Sequence, residues 1–164
     1  MRKIKNYFVI TFGSVVGIFL FIFLLPLALA LMPFVFISEL GFKKKYKVFL
    51  GNNEGKRFFC YTSRQKSRSI IEKEILPNIE KDINIIFLHG RNPESQFPQK
   101  YISYALYNIK NIGFPSILLI KNGEVLDVSL KKEIYNAINQ DEDLSSMPSY
   151  IEEKFLELEE KYEI

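Results

Sequence analysis

The chain reads as an α/β protein, and three observations carry that reading. Ile83 to Leu88 is an apolar run of strand length, interrupted only by Asn84, as expected for a strand buried on both faces. Ile117 to Ile120 and Val125 to Leu130 flank Asn122-Gly123, which predicts a two-residue hairpin because both turn positions take positive φ. Between these strands apolar residues recur at helical spacing, and strands alternating with helices are the pattern of an α/β domain.

Val48 to Leu50 and Arg57 to Ser63 read as short extended segments, separated by the turn-rich Gly51-Asn52-Asn53-Glu54-Gly55. Ser67 to Lys81 reads as a helix. Ile71, Ile75 and Ile79 repeat every four residues, Ile70 and Leu76 widen the buried stripe, and Pro77 is expected to kink it by removing a backbone donor. After the strand at Ile83, Gln99 to Lys110 reads as a helix with Pro98 in its first turn and Tyr101, Ala105, Leu106 and Ile109 on one side. A short helix around Lys131 to Asn139 follows the hairpin. Beyond Gln140 the composition turns acidic: Asp141 to Ile164 holds nine acidic residues against Lys154 and Lys161, a net of −7 in a chain of overall charge +3. Ser149-Tyr150-Ile151-Glu152 has the spacing of a capping box, and Ile151, Phe155, Leu158 and Tyr162 fall on one helical face. Either that face packs on its own domain, or it docks a partner, a second copy of the chain included.

The amino end is different in kind. Tyr7 to Ile37 contains no charged residue, and at about 1.5 Å per helical residue it exceeds the roughly 30 Å hydrocarbon core, so it is expected to cross a bilayer once. A cleaved signal peptide is the competing reading, because Arg2, Lys3 and Lys5 form a basic region and Ala28-Leu29-Ala30 has small residues at cleavage spacing. Against cleavage, Leu31 to Ile37 continues the apolar run. Gly13 and Gly17 form a Gly-x-x-x-Gly pattern that lets membrane helices approach closely, although glycine is common in such helices anyway. The chain of 164 residues therefore divides into residues 1–45, a tail, transmembrane anchor and basic juxtamembrane segment; 46–140, a folded domain; and 141–164, an acidic amphipathic helix.

The segment Gly113-Phe114-Pro115-Ser116-Ile117-Leu118-Leu119-Ile120-Lys121-Asn122-Gly123-Glu124-Val125 resembles the thioredoxin family. There a glycine, an apolar residue and a cis-proline precede a buried strand that a Lys-Asn-Gly turn reverses. Pro77 in a first long helix is a second point of resemblance. The resemblance covers about Arg57 to Gln140 and implies a thioredoxin-like three-layer sandwich, a central mixed sheet flanked by helices, behind one N-terminal transmembrane helix. It also implies a cis bond at Phe114-Pro115. Charge counting alone leans to a cytoplasmic carboxyl side for the anchor. Arg2, Lys3 and Lys5 favour a cytoplasmic amino end, whereas Lys43, Lys44, Lys45, Lys47, Lys56 and Arg57 favour a cytoplasmic carboxyl side. Membrane-tethered relatives of thioredoxin more often resemble the first arrangement. On that basis we expect a single-pass protein of the cell (inner) membrane with its soluble domain on the extracytoplasmic side.

The chemistry of thioredoxins does not come with the resemblance. They use a Cys-x-x-Cys pair, and this chain has one cysteine, Cys60, so a two-thiol mechanism within one chain is excluded. Cys60-Tyr61-Thr62-Ser63 has the Cys-x-x-Ser form of single-thiol variants. A monothiol oxidoreductase using Cys60 and Ser63 is therefore one alternative. Counting back from Pro77 as the family does puts the two active-site positions at Ser69 and Glu72 instead, and Cys60 lies in the apolar segment Phe58 to Tyr61, which fits a buried structural thiol. Leu88-His89-Gly90 is similar to the oxyanion-loop His-Gly of α/β-hydrolases, but no Gly-x-Ser-x-Gly elbow accompanies it. One histidine and one cysteine exclude a His-rich or Cys-rich metal site, and no Walker loop or dinucleotide fingerprint points to a cofactor. The basic run from Lys43 to Arg68 has no nucleic-acid recognition motif beside it and fits a membrane interface better.

The expected function is therefore binding without redox catalysis, as an assembly, chaperone-like or scaffold module at the lipid bilayer. The resemblance implies that the backbone at Phe114 and Pro115 pairs with an extended peptide or protein partner, next to the loop holding Ser63 and Arg64. A purely structural subunit of a membrane complex, or self-association through Gly13 and Gly17, is the remaining alternative.

Overall fold

The structure, a computed structural model, describes residues 19, 21–26, 37–111 and 113–161. They belong to two units, Met1–Lys45 and Tyr46–Ile164. In the first, residues 21–26 and 37–45 are helical. Among the described residues no helix is long and apolar enough to cross a membrane. Most of the expected span from Tyr7 to Ile37, with Gly13 and Gly17, lies outside them.

The second unit begins with helical residues 46–52, α1. This corrects the expectation of a strand at Val48 to Leu50. Phe49 and Leu50 stand one turn on from Tyr46; both are buried while Val48 faces out. Tyr46 meets the edge of Tyr104 at 4.7 Å, and Phe49 stacks on Tyr101 at 4.9 Å. Three apolar residues in a row cannot distinguish a strand from one face of a helix, and the aromatic contacts decide it.

β1 (Arg57–Thr62) then enters the centre of a five-stranded mixed sheet. It pairs in parallel with β2 (Ile83–His89) and antiparallel with β4 (Ser116–Lys121), while β3 (Asn92–Glu94) and β5 (Glu124–Ser129) pair antiparallel at the outer edges. The order is β3-β2-β1-β4-β5. Successive side chains of a strand point to opposite faces, and both faces are covered. Phe59, Tyr61, Ile117 and Leu119 join one core, with Ile71, Ile75, Ile134 and Phe155; Phe58, Cys60, Leu118 and Ile120 join the other, with Phe49, Leu50 and Ile102.

The helix expected over Ser67 to Lys81 is shorter and irregular. α2 (Gln65–Ile70) widens into a π turn over Ile71–Ile75, where the Leu76 N–H donates to the Ile71 carbonyl, and then tightens into a 3-10 turn at Leu76–Asn78. Pro77 therefore sits in the terminal turn instead of kinking a continuing helix, which suits a residue with no N–H. β3 has no counterpart in the sequence reading; its Pro93, a poor strand residue, is tolerated because β3 is short and at the sheet edge.

α3 (Gln99–Tyr107) buries Ile102 and Ala105 and ends before the expected Lys110. The cause lies in a distant strand. The buried carboxylate of Asp127 accepts the Lys110 and Asn111 amides at 2.8 and 2.6 Å, and the Asn111 side chain donates to the Asp127 carbonyl at 2.8 Å. Downstream, Gly113 has φ +148, and a Cβ there would meet Ser129 Oγ at 2.9 Å. The Phe114–Pro115 peptide bond is cis, as expected, and the β4–β5 turn has positive φ at Asn122 (55) and Gly123 (71).

α4 (Lys131–Asn139) matches its expected bounds. α5 (Met147–Glu160) starts after Ser146 with Pro148 in its first turn, so the capping box expected at Ser149 is not used. Its Ile151, Phe155 and Leu158 are buried in the first core, together with Leu144 from the connection. One charged group anchors the helix. Arg57, only 14% exposed, donates from Nη1 to Glu152 at 2.7 Å and from Nη2 to Glu159 at 2.8 Å, with its guanidinium 5.4 Å from the centre of the Phe155 ring. Arg57→Ala leaves these carboxylates facing an empty site and is expected to cost about 2 kcal/mol. Denaturant unfolding of the full chain followed by circular dichroism measures it.

Candidate functional site

The sheet brings the expected binding residues to one of its ends. Thr62 is opposite Leu88, and Cys60 is opposite Ser116, so the chain leaving β1, the chain leaving β2 and the chain entering β4 lie together. Ser63 and Arg64 follow β1 and Phe114-Pro115 precedes β4. Ser63 is fixed through its backbone, whose N–H donates to the Leu88 carbonyl at 3.1 Å. The exposed Arg64 lies with its guanidinium 5.5 Å from the centre of the Tyr135 ring on α4.

Pro115 is buried and its carbonyl accepts the Leu130 N–H at 2.8 Å. Phe114 is half-buried against the second core. The β1–β4 ladder stops at Cys60 and Ser116, and among the described residues the Phe114 N–H and carbonyl have no hydrogen-bond partner. Backbone groups of this kind are strong donors and acceptors, so an extended chain can pair with them. Gly113 before them and the Asp127 clamp on Lys110 and Asn111 fix the path by which the chain reaches this point.

Cys60 belongs to a different environment. It is fully buried in the second core beside Ser116. Burial pushes its thiol far above the ordinary range, and the neighbouring Ser116 offsets this only in part. Ser116 Oγ is buried and makes no hydrogen bond of ordinary geometry among the described residues, so the contact is weak. An enclosed, protonated thiol can neither attack a disulfide nor meet a second thiol. Ser63 is three residues further on, past the end of β1. Cys60 and Ser63 therefore do not form one reactive site.

Ser69 and Glu72 do not mark a helix start either, because α2 begins at Gln65 and both residues lie beyond its first turn. Glu72 has another use. Its Oε1 accepts from Arg68 Nε and from Tyr61 Oη, each at 2.9 Å, which holds its carboxyl below the usual carboxylate range. Burial, followed by this bond to Glu72, pushes the Tyr61 phenol from 10.0 up to about 12. Arg68 in turn lies 4.5 Å from the centre of the Phe87 ring and lines an open cleft with Ser63, Phe87, His89 and Glu94. Sequence reasoning missed this cluster. The available signal was Arg68 and Glu72 at i, i+4 spacing. No family model, no curated protein and no solved structure matches the chain.

Cys60 and Tyr61 bind their protons more tightly in the folded state than in the unfolded one. Their contribution to stability is therefore complete below the unfolded thiol value of about 8.5 and is lost as the pH rises through 10 toward 12. The melting temperature should stay level between pH 7 and 8 and fall above pH 9. Iodoacetamide should modify Cys60 at pH 8 only after unfolding, at least a hundredfold slower in the native chain, as mass spectrometry of timed samples would read.

Proposed function

We propose that this chain is a membrane-tethered, thioredoxin-like binding module without redox chemistry, which captures an extended polypeptide segment at Phe114 and Pro115. The observation that carries the reading is the main-chain pair of Phe114, one donor and one acceptor at the end of a ladder with no partner among the described residues, next to the loop with Ser63 and Arg64. Main-chain pairing of this kind needs no thiol, so binding is compatible with a cysteine sealed in the core. The thioredoxin-like assignment is supported by the parallel β1–β2 pair joined through α2, the antiparallel β4–β5 hairpin beside β1, and α4 behind it.

The tether rests on the charge-free run from Tyr7 to Ile37, followed by the lysines at 43, 44, 45 and 47. A protein held at a bilayer by one helix and offering a half-buried edge for a peptide suits an assembly or chaperone-like role, with the domain on the extracytoplasmic side. The structural-subunit alternative receives less support. Deleting Asp141 to Ile164 cannot test it, because that removes Ile151, Phe155 and Leu158 from the core.

An extended peptide selected from a random library on the full chain in detergent is expected to bind at least tenfold more weakly to Phe114→Asp, which sets a charge beside the main-chain pair, with a smaller loss for Phe114→Ala, which adds no charge; both keep the backbone groups. Titration calorimetry reads the affinities and circular dichroism verifies folding. Unchanged affinity in a folded F114D protein would discard the proposal.

A further inference from the structure

The geometry points to a second ligand site on this chain: the cleft on β2 and β3 binds a singly charged carboxylate through Arg68, Ser63 and His89. It shares Ser63 with the loop beside the Phe114 edge, but its other lining residues come from α2, β2 and β3, and its ligand need not be the segment captured there. Phe87 and His89 are two residues apart on β2 and so point to the same face of the sheet, where Glu94 is the cross-strand partner of Phe87. Arg68 reaches over this face from α2, and Ser63 closes the end of an open volume of about 700 Å³.

Arg68 is held in place before any ligand arrives. Its guanidinium rests on the Phe87 ring at 4.5 Å, and its Nε is bonded to Glu72, which the Tyr61 hydroxyl fixes in turn. Those contacts use one of the five N–H donors of an arginine. Both Nη groups lack a partner among the described residues, as do the Ser63 hydroxyl and the His89 imidazole. A planar fork with its Nε occupied is suited to a planar carboxylate. Glu94 supplies the selectivity. A negative charge on the same wall repels a doubly charged phosphate more than a singly charged carboxylate.

The carboxylate can come from the free end of a polypeptide or from a small organic acid. His89 is the only histidine in the chain, so its imidazole resonances report on the cleft directly. The full chain in detergent micelles at pH 7 is titrated with sodium acetate, with a short peptide bearing a free carboxyl end, with the same peptide amidated, with inorganic phosphate and with sodium chloride at matched ionic strength. Acetate and the free-ended peptide are expected to give saturable His89 shifts, with phosphate weaker and chloride and the amidated peptide inert. Tighter binding of the peptide than of acetate assigns a chain end as the source, and equal binding assigns a free acid. Arg68→Ala should weaken either at least tenfold, while Glu72→Gln, which keeps Arg68, should weaken it less. A saturable shift that persists unchanged in folded R68A, no saturable shift at all, or a preference for phosphate would overturn the assignment.

Discussion

β1 is the constraint on which the folded unit depends. It is hydrogen-bonded along both edges and covered on both faces, so its six residues must satisfy four neighbours at once. Phe58 and Cys60 fill one side, Phe59 and Tyr61 the other, and Arg57 begins the strand with a charge that α5 meets at 2.7 and 2.8 Å, with Asp82 and Glu80 further off at 3.6 and 3.9 Å. A guanidinium that is 14% exposed is costly to desolvate unless paired. Glu152 and Glu159 supply that pairing, and Lys121 adds a bond to the Glu159 carbonyl at 2.7 Å. Two of the nine acidic residues at the end of the sequence thus pair with the basic start of the central strand, and α5 is a structural layer of the same unit.

Strength of local signal decided how much of this could be read beforehand. The Asn122-Gly123 hairpin, the apolar run of β2, the bounds of α4 and the buried stripe of α5 were all legible, because each is specified within a dozen residues. The misreadings have long-range causes. α1 is helical because Tyr101 and Tyr104, some fifty positions away, receive its aromatic residues. The end of α3 is set by a carboxylate on β5 that takes up two amides the helix would otherwise have used. β3 exists because β2 offers an edge to three residues that have little strand propensity of their own.

The candidate sites divide in the same way. Phe114 and Pro115 could be found from a contiguous segment, since turn, proline and strand are consecutive. Arg68, Phe87, His89 and Glu94 come from three elements, and only the parallel pairing of β1 with β2, together with the β2–β3 turn, brings them to one face. Cys60 was the most conspicuous chemical group in the sequence, yet the alternation of β1 turns it into the second core. In both cases the face to which a side chain points matters more than its identity.

Pro93 has a consequence for crowding. The outer edge of β3 is only three residues long, and its central residue has no N–H to offer. A strand from another molecule approaching that edge finds an interrupted row of donors and little length to zip along. Copies of this chain packed side by side are thereby protected from polymerising through that edge, and the proline keeps neighbouring sheets from merging.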